Sequence, residues 1–168
     1  QLLTLGVAGT CGRTLAAQFL RAIFEAAGGR YGLVGRHGWS DGVATRPAAS
    51  GAAGTEGLAA MLAAMVERGC AGAVLEFSDE ALRRRQAEGL PLDAAVVTDI
   101  GAPPAMTHEE AVARRAEVAR LFRQVVPGGA AVVNADDPHA SLIGAVNLEA
   151  DHVAYSLEGN AQAQVTAR

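Results

Sequence analysis

Apolar runs about the length of buried strands alternate along this chain with runs that carry the helical period. Leu2 to Ala8 reads as a first strand. Thr14 to Ala27 reads as a helix, because Leu15, Phe19, Leu20, Ile23 and Phe24 recur at three- and four-residue spacing. Further strands are predicted at Tyr31 to Val34, Ala71 to Phe77, Ala94 to Thr98 and Ala130 to Asn134, with helices at about Thr55 to Arg68, Asp79 to Glu88 and His108 to Val126. Near-continuous apolar strands separated by helices imply a parallel sheet covered on both faces, a three-layer α/β/α domain. The stretch from Gly35 to Gly57 reads as one long loop, the kind that carries function at strand ends. Two short strands are expected in the tail, from His152 through Ser156 and from Gln162 to Ala167.

Composition narrows the class. With 168 residues, half of them apolar, the chain is large enough for one domain with its own core. No run of 18 apolar residues and no signal-peptide pattern occurs, which leads to the expectation of a cytoplasmic protein that does not engage membranes. A net charge of −4, and arginines not interleaved with aromatics, argue against nucleic-acid binding. Cys11 and Cys70 are too few for a disulfide framework and read as reduced thiols. Gln1 in place of an initiator methionine points to a fragment or a processed chain.

The chemistry concentrates in GVAGTCGRT, residues 6 to 14, between the first strand and first helix. A glycine-rich turn in that position lets backbone N–H groups close around phosphate at the positive end of a helix dipole. Gly9, Thr10, Gly12, Arg13 and Thr14 are therefore the candidate nucleotide-binding residues. The strict phosphate-loop pattern would place glycine at Val7 and lysine at Arg13, so the segment reads equally as a tight turn that holds no ligand. Arginine is a broad planar fork where that pattern uses a compact ammonium, and the two are not equivalent. Cys11 reads either as a thiol activated near a helix N-terminus or as a small inert buried one, the latter being favoured.

This loop, followed in order by Glu76-Phe77-Ser78-Asp79-Glu80-Ala81-Leu82, Thr98-Asp99-Ile100, Leu121-Phe122 and Asn134-Ala135-Asp136-Asp137-Pro138, resembles the central ATP-binding domain of the Mur ligases. It is most similar to the member that adds the third residue of the peptidoglycan stem peptide. The family pattern is GTNGKT, TTP, EVSSHAL followed by an arginine, TNL, DHLDxH, AKxxLF and NADDP. The resemblance implies an ATP- and Mg²⁺-dependent ligase that phosphorylates a carboxylate of a UDP-linked muramoyl peptide and lets an amino acid amine attack the acyl phosphate. On that basis Thr14 and Glu76 correspond to magnesium ligands, and Thr45, Ser78 and Arg85 to substrate-binding positions. Arg85 stands one residue short of the expected arginine, whose own place is taken by Gln86.

Four departures weigh against catalysis: Arg13 for the loop lysine, Asp99 for the Asn of TNL, Pro104 for a metal-ligating histidine, and Val118 for the lysine that the family converts to a carbamate. Val118, Leu121, Phe122 and Val125 form a helical apolar stripe, so that position reads as core. Thr107-His108-Glu109-Glu110 reads as a capping box more readily than as the family's last histidine motif. No catalytic residue is assigned. The sequence therefore leads to the expectation of a pseudoenzyme that binds nucleotide weakly or not at all, or binds cell-wall synthesis proteins, with an active ligase as the alternative. The resemblance also implies a middle domain, residues 1–168, incomplete at its C-terminal end, where the family's adenine-pocket motif would follow, and without the flanking UDP-binding and amino-acid-binding domains.

Overall fold

The computed structural model describes residues 2–47, 55–101, 106–140, 146 and 149–167. Thirteen elements follow one another as β1 (Leu3–Ala8), α1 (Arg13–Ala26), β2 (Tyr31–Gly35), β3 (Gly38–Ser40), β4 (Thr45–Pro47), α2 (Thr55–Glu67), β5 (Gly72–Glu76), α3 (Asp79–Arg83), β6 (Leu92–Val97), α4 (His108–Phe122), β7 (Val125–Asn134), β8 (Asp151–Ser156) and β9 (Val165–Thr166). They build one sheet in the order β4-β3-β2-β5-β1-β6-β7-β8-β9. Every pairing from β2 to β9 is parallel, and the β2–β3 and β3–β4 pairings are antiparallel. The expected mostly parallel α/β/α architecture is the observed one.

The central strands are buried on both faces, which is why they read as unbroken apolar runs. On one face, Ala17 of α1, with Leu20 and Phe24, packs against Leu5, Val7, Tyr31, Leu33 and Val74. The rings of Phe24 and Tyr31 stack with centroids 4.8 Å apart. On the other face, Leu58 and Met65 of α2, Leu82 of α3 and Val118, Leu121 and Phe122 of α4 meet Leu75, Ala95 and Val97 of the sheet. Val118 is fully buried, as its place in the apolar stripe predicts. The apolar positions of α1 do not all face the core, since Leu15, Phe19 and Ile23 are exposed.

Three readings need correction. The long loop expected from Gly35 to Gly57 contains the antiparallel strands β3 and β4. Strands of three residues are too short to show a period. Their turn is instead made by Asp41, whose Oδ1 accepts the N–H groups of Val43 and Ala44 at 3.1 and 2.8 Å. The helix from Asp79 ends at Arg83 rather than running to Glu88. There Arg85 takes a left-handed conformation (φ 55°), while Gln86 N–H donates to Ala81 and Arg85 N–H to Leu82. Glycine is the usual residue at such a helix end, so the stop is hidden among three arginines. Likewise α4 ends at Phe122, because Val125 already belongs to β7.

Two outcomes test this packing. Val118→Lys buries an unpaired ammonium in the core and is expected to lower unfolding free energy by at least about 3 kcal/mol in urea melts. The Asp41 carboxyl is held below its usual value of 3.8 chiefly by the Ala44 and Val43 N–H groups, with Arg46 and Arg68 adding to the effect. A depressed pKa stabilises the fold fully above the unfolded value and loses that contribution as pH falls through the folded one. Asp41→Asn is therefore expected to flatten the fall in melting temperature below about pH 4.

Candidate functional site

The chain order of the sheet reverses at β1: the connection through α1 leads to one side, and that through α4 leads away on the other. In open parallel sheets, ligands settle at the carboxyl ends of the strands beside such a reversal. The loop of residues 9–12 lies there, between β1 and α1, next to the segment that follows β6. Gly9 has φ 139°, and a Cβ on it would stand 2.0 Å from Thr98 Oγ1. Gly12 has φ 77° and serves as the N-cap of α1. No side chain caps α1, so its first-turn N–H groups retain the partial positive charge that attracts anions.

Two internal charges sit at this loop. The Asp99 carboxylate accepts the Thr10 N–H at Oδ1, 2.9 Å, and the Cys11 N–H at Oδ2, 2.7 Å. Arg13 turns back over the loop, donating from Nη1 to the Gly9 carbonyl at 2.7 Å and from Nε to Glu76 Oε1 at 3.1 Å. Thr14 Oγ1 donates to the same Glu76 oxygen at 2.6 Å, and the N–H of Arg36 reaches Oε2 at 3.1 Å. The Glu76 side chain is 4% exposed and that of Arg13 17%, so the pair is largely removed from water.

Arg114, a buried arginine of α4, ties the surroundings together. Its Nη2 donates to Thr10 Oγ1 at 2.6 Å, its Nη1 to the carbonyls of Ile100 and Gly101, and its Nε to Asp79 Oδ2 at 3.1 Å. Beneath the loop, Thr98 Oγ1 donates to the Cys11 carbonyl, Asn134 Nδ2 to the Thr98 carbonyl, and Ile100 N–H to Asp137 Oδ2. Asp136 accepts Ser156 Oγ and the N–H groups of Leu157 and Glu158. Those bonds, the Ser156 one foremost, hold its carboxyl below the usual range. Tyr155 donates to the Thr98 carbonyl, and burial, reinforced by Asp99, Asp136 and Asp137, pushes its phenol up.

The structure brings some expected residues together and separates others. Thr14, Glu76 and Thr45 line one open cleft beside His37, Trp39 and Ser40. Ser78 caps α3, accepting the Ala81 N–H at 3.1 Å. Arg85 lies elsewhere, with Glu88 as its ion-pair partner, over a depression shared with Glu117, Arg120 and Gln124 at the end of α4. Arg83 and Arg84 both pair with Glu80 in solvent. Thr107 and Glu110 form the expected capping box. Pro104 lies outside the described residues. Cys11 is exposed, which corrects the buried reading: its peptide is bonded on both sides to Thr98 and Asp99, and the thiol is turned outward. Arg114 went unnoticed in sequence, although its place in the stripe Ala111, Arg114, Val118, Leu121 marks it as an arginine on a buried helix face.

Among the described residues, no group of three or more His, Cys, Asp or Glu side chains converges on one point, and no helix is long and apolar enough to cross a membrane. Thr14 and Glu76 offer the hard oxygens that magnesium prefers. As arranged, both Glu76 oxygens accept hydrogen bonds and its charge is met by Arg13, so a divalent ion held by Thr14 and Glu76 would have to displace the Arg13 guanidinium.

Comparison with known proteins gives a consistent family. Residues 7–168 match the Mur ligase middle domain. The UDP-N-acetylmuramoyl-L-alanyl-D-glutamate–2,6-diaminopimelate ligase of Chlorobium phaeobacteroides is 32% identical over 146 residues, covering 86% of this chain and 28% of the relative. The UDP-N-acetylmuramyl-tripeptide synthetase of Roseiflexus sp. is 29% identical over 172 residues, covering 94% and 34%. The chain thus spans about a third of the length of the curated relatives it matches. Among solved structures, a diaminopimelate ligase superposes with a TM-score of 0.71 at 22% identity, covering 95% of this chain and 33% of that one. The MurF ligase of Thermotoga maritima in complex with ADP gives 0.67 at 17% identity, covering 95% and 34%. Sequence and superposition agree, and the chain belongs to the Mur ligase family, of which it carries the middle domain.

Proposed function

We propose that this middle domain is noncatalytic and binds adenine nucleotide weakly, its remaining role being contact with UDP-linked muramoyl peptide or with cell-wall synthesis proteins. The observation that carries the reading is the Arg13–Glu76 pair. In the arrangement the family pattern implies, a loop lysine would face phosphate and the acidic residue would face a cation. Here one guanidinium is turned onto the carboxylate and onto the loop's own Gly9 carbonyl. A group bonded inward in this way does not stabilise charge on a transferring phosphoryl group.

A second observation supports it. All 14 basic residues of the chain are arginines, with no lysine among its 168 residues. Neither the loop ammonium nor the carbamate-bearing amine can come from elsewhere in this sequence, and the position matched to the latter, Val118, is sealed in the core. What favours weak binding over none is the uncapped N-terminus of α1 with Gly9 and Gly12 still shaping the turn. The alternative, an active ATP-dependent ligase, is favoured by the retained contact between Thr14 and Glu76 and by the ligase names of the relatives.

The two readings separate on phosphate release. With ATP, magnesium, a UDP-linked muramoyl dipeptide and diaminopimelate or lysine, the unaltered chain is expected to turn over at background. Arg13→Lys is expected to tighten ATP binding modestly and stay at background, since groups that act as a unit are not recovered one at a time. Substantial turnover by either protein supports the ligase. ATP is expected to bind in the high micromolar range or worse. A ligand at ~100 times its Kd raises stability by about 2.7 kcal/mol, so a strong thermal shift at low micromolar ATP contradicts weak binding. Arg13→Ala leaves the Glu76 carboxylate unpaired and is expected to cost about 2–3 kcal/mol, less than a fully buried pair because Arg13 is partly exposed. Adding Glu76→Gln should return part of that loss in a double-mutant cycle read by urea melts.

A further inference from the structure

We propose that Asp99 is an internal anion of the loop, occupying the Thr10 and Cys11 amides that a polyphosphate would use, so that ligand enters only by displacing it. The proposal deepens the weak-nucleotide reading and rests on it for the identity of the site. Its basis is geometric. Both carboxylate oxygens are engaged, one per amide, at 2.9 and 2.7 Å. The segment bearing Asp99 is itself fixed. Thr98 N–H donates to the Ala8 carbonyl, Thr98 Oγ1 to that of Cys11, Asp137 takes the Ile100 N–H, and Arg114 holds the Ile100 and Gly101 carbonyls. Arg114 also donates to Thr10 Oγ1, whose own proton goes to the Gly101 carbonyl at 2.7 Å, so both sides of the contact are held.

The chemistry makes Asp99 selective against anions. A phosphate approaching these amides meets a carboxylate at hydrogen-bonding distance from the same donors, and like charges that close repel. Binding then exchanges one charge-assisted contact for another and gains little. Asparagine at this position, as in the TNL pattern, removes the charge and, in the same geometry, sets an NH2 donor against one of the two amide donors. It leaves one amide open and the site without repulsion. The difference between Asp and Asn at residue 99 thus decides whether the loop receives phosphate or is filled by its own chain.

The test uses inorganic pyrophosphate and ATP, without magnesium, on the unaltered protein and on Asp99→Asn, with melting curves to show that the variant is folded. Calorimetry is expected to give pyrophosphate an affinity at least tenfold higher in Asp99→Asn, a gain of about 1.4 kcal/mol. Equal affinities in a folded variant overturn the proposal. Should Asp99→Asn fail to fold, hydrogen exchange on the unaltered protein decides: Thr10 and Cys11 amides already protected in the absence of any ligand support it, whereas amides that exchange freely there overturn it. Low-micromolar ATP binding by the unaltered protein overturns the weak-nucleotide reading instead. The affinity ratio between the unaltered protein and Asp99→Asn is read separately from that result.

Discussion

The parallel pairing of β1 with β5 on one side and β6 on the other fixes nearly everything else in this molecule. It aligns the ends of three strands, so that Gly9, Glu76 and Thr98 emerge side by side although they are far apart in the chain. The Phe77 N–H donates to the Val7 carbonyl and the Thr98 N–H to the Ala8 carbonyl, extending both ladders to the edge of the loop. From that edge the side chains of Glu76 and Asp99 reach the loop from opposite flanks, one meeting Arg13 and the other the amides of Thr10 and Cys11.

Each flank is electrically closed. Glu76 faces a guanidinium, Asp99 faces two amide dipoles, and Arg114 is matched by Asp79 and by carbonyl oxygens. No buried side-chain nitrogen or oxygen among the described residues lacks a hydrogen-bond partner. A site built to bind charge ordinarily keeps some of its polar groups waiting for the ligand, at a cost in stability. Here the buried side-chain groups satisfy one another, while the first-turn N–H groups of α1 have no side-chain cap.

How much of this could be read beforehand depended on the range of the interaction. The strands and helices were legible because burial on two faces, or on one helical stripe, leaves a periodic mark, as with Leu2 to Ala8 or Val118 and Leu121. Family order then located the loop and Glu76. Elements held by single side chains left no such mark. Asp41 makes the β3–β4 turn, and Arg85 ends α3 in a conformation normally given to glycine. The grip of Asp99 on the loop joins residues 88 and 89 positions apart, and nothing local announces it. In sequence Asp99 registers only as the loss of an asparagine. In the fold its second carboxylate oxygen holds an amide that an asparagine would leave open.

That grip also bears on how the chain assembles. The bonds from Asp99 and Arg114 to Thr10 close loops of 89 and 104 residues, among the longest-range side-chain links in the molecule. Closing so long a stretch is entropically unfavourable until the intervening strands have paired, so these bonds form late and report completion of the central sheet. Interactions absent from the folding transition state act chiefly on the rate of unfolding. The closed loop therefore works as a latch: it does little to hasten folding, but it slows the opening of β1 away from β6 once the sheet is made.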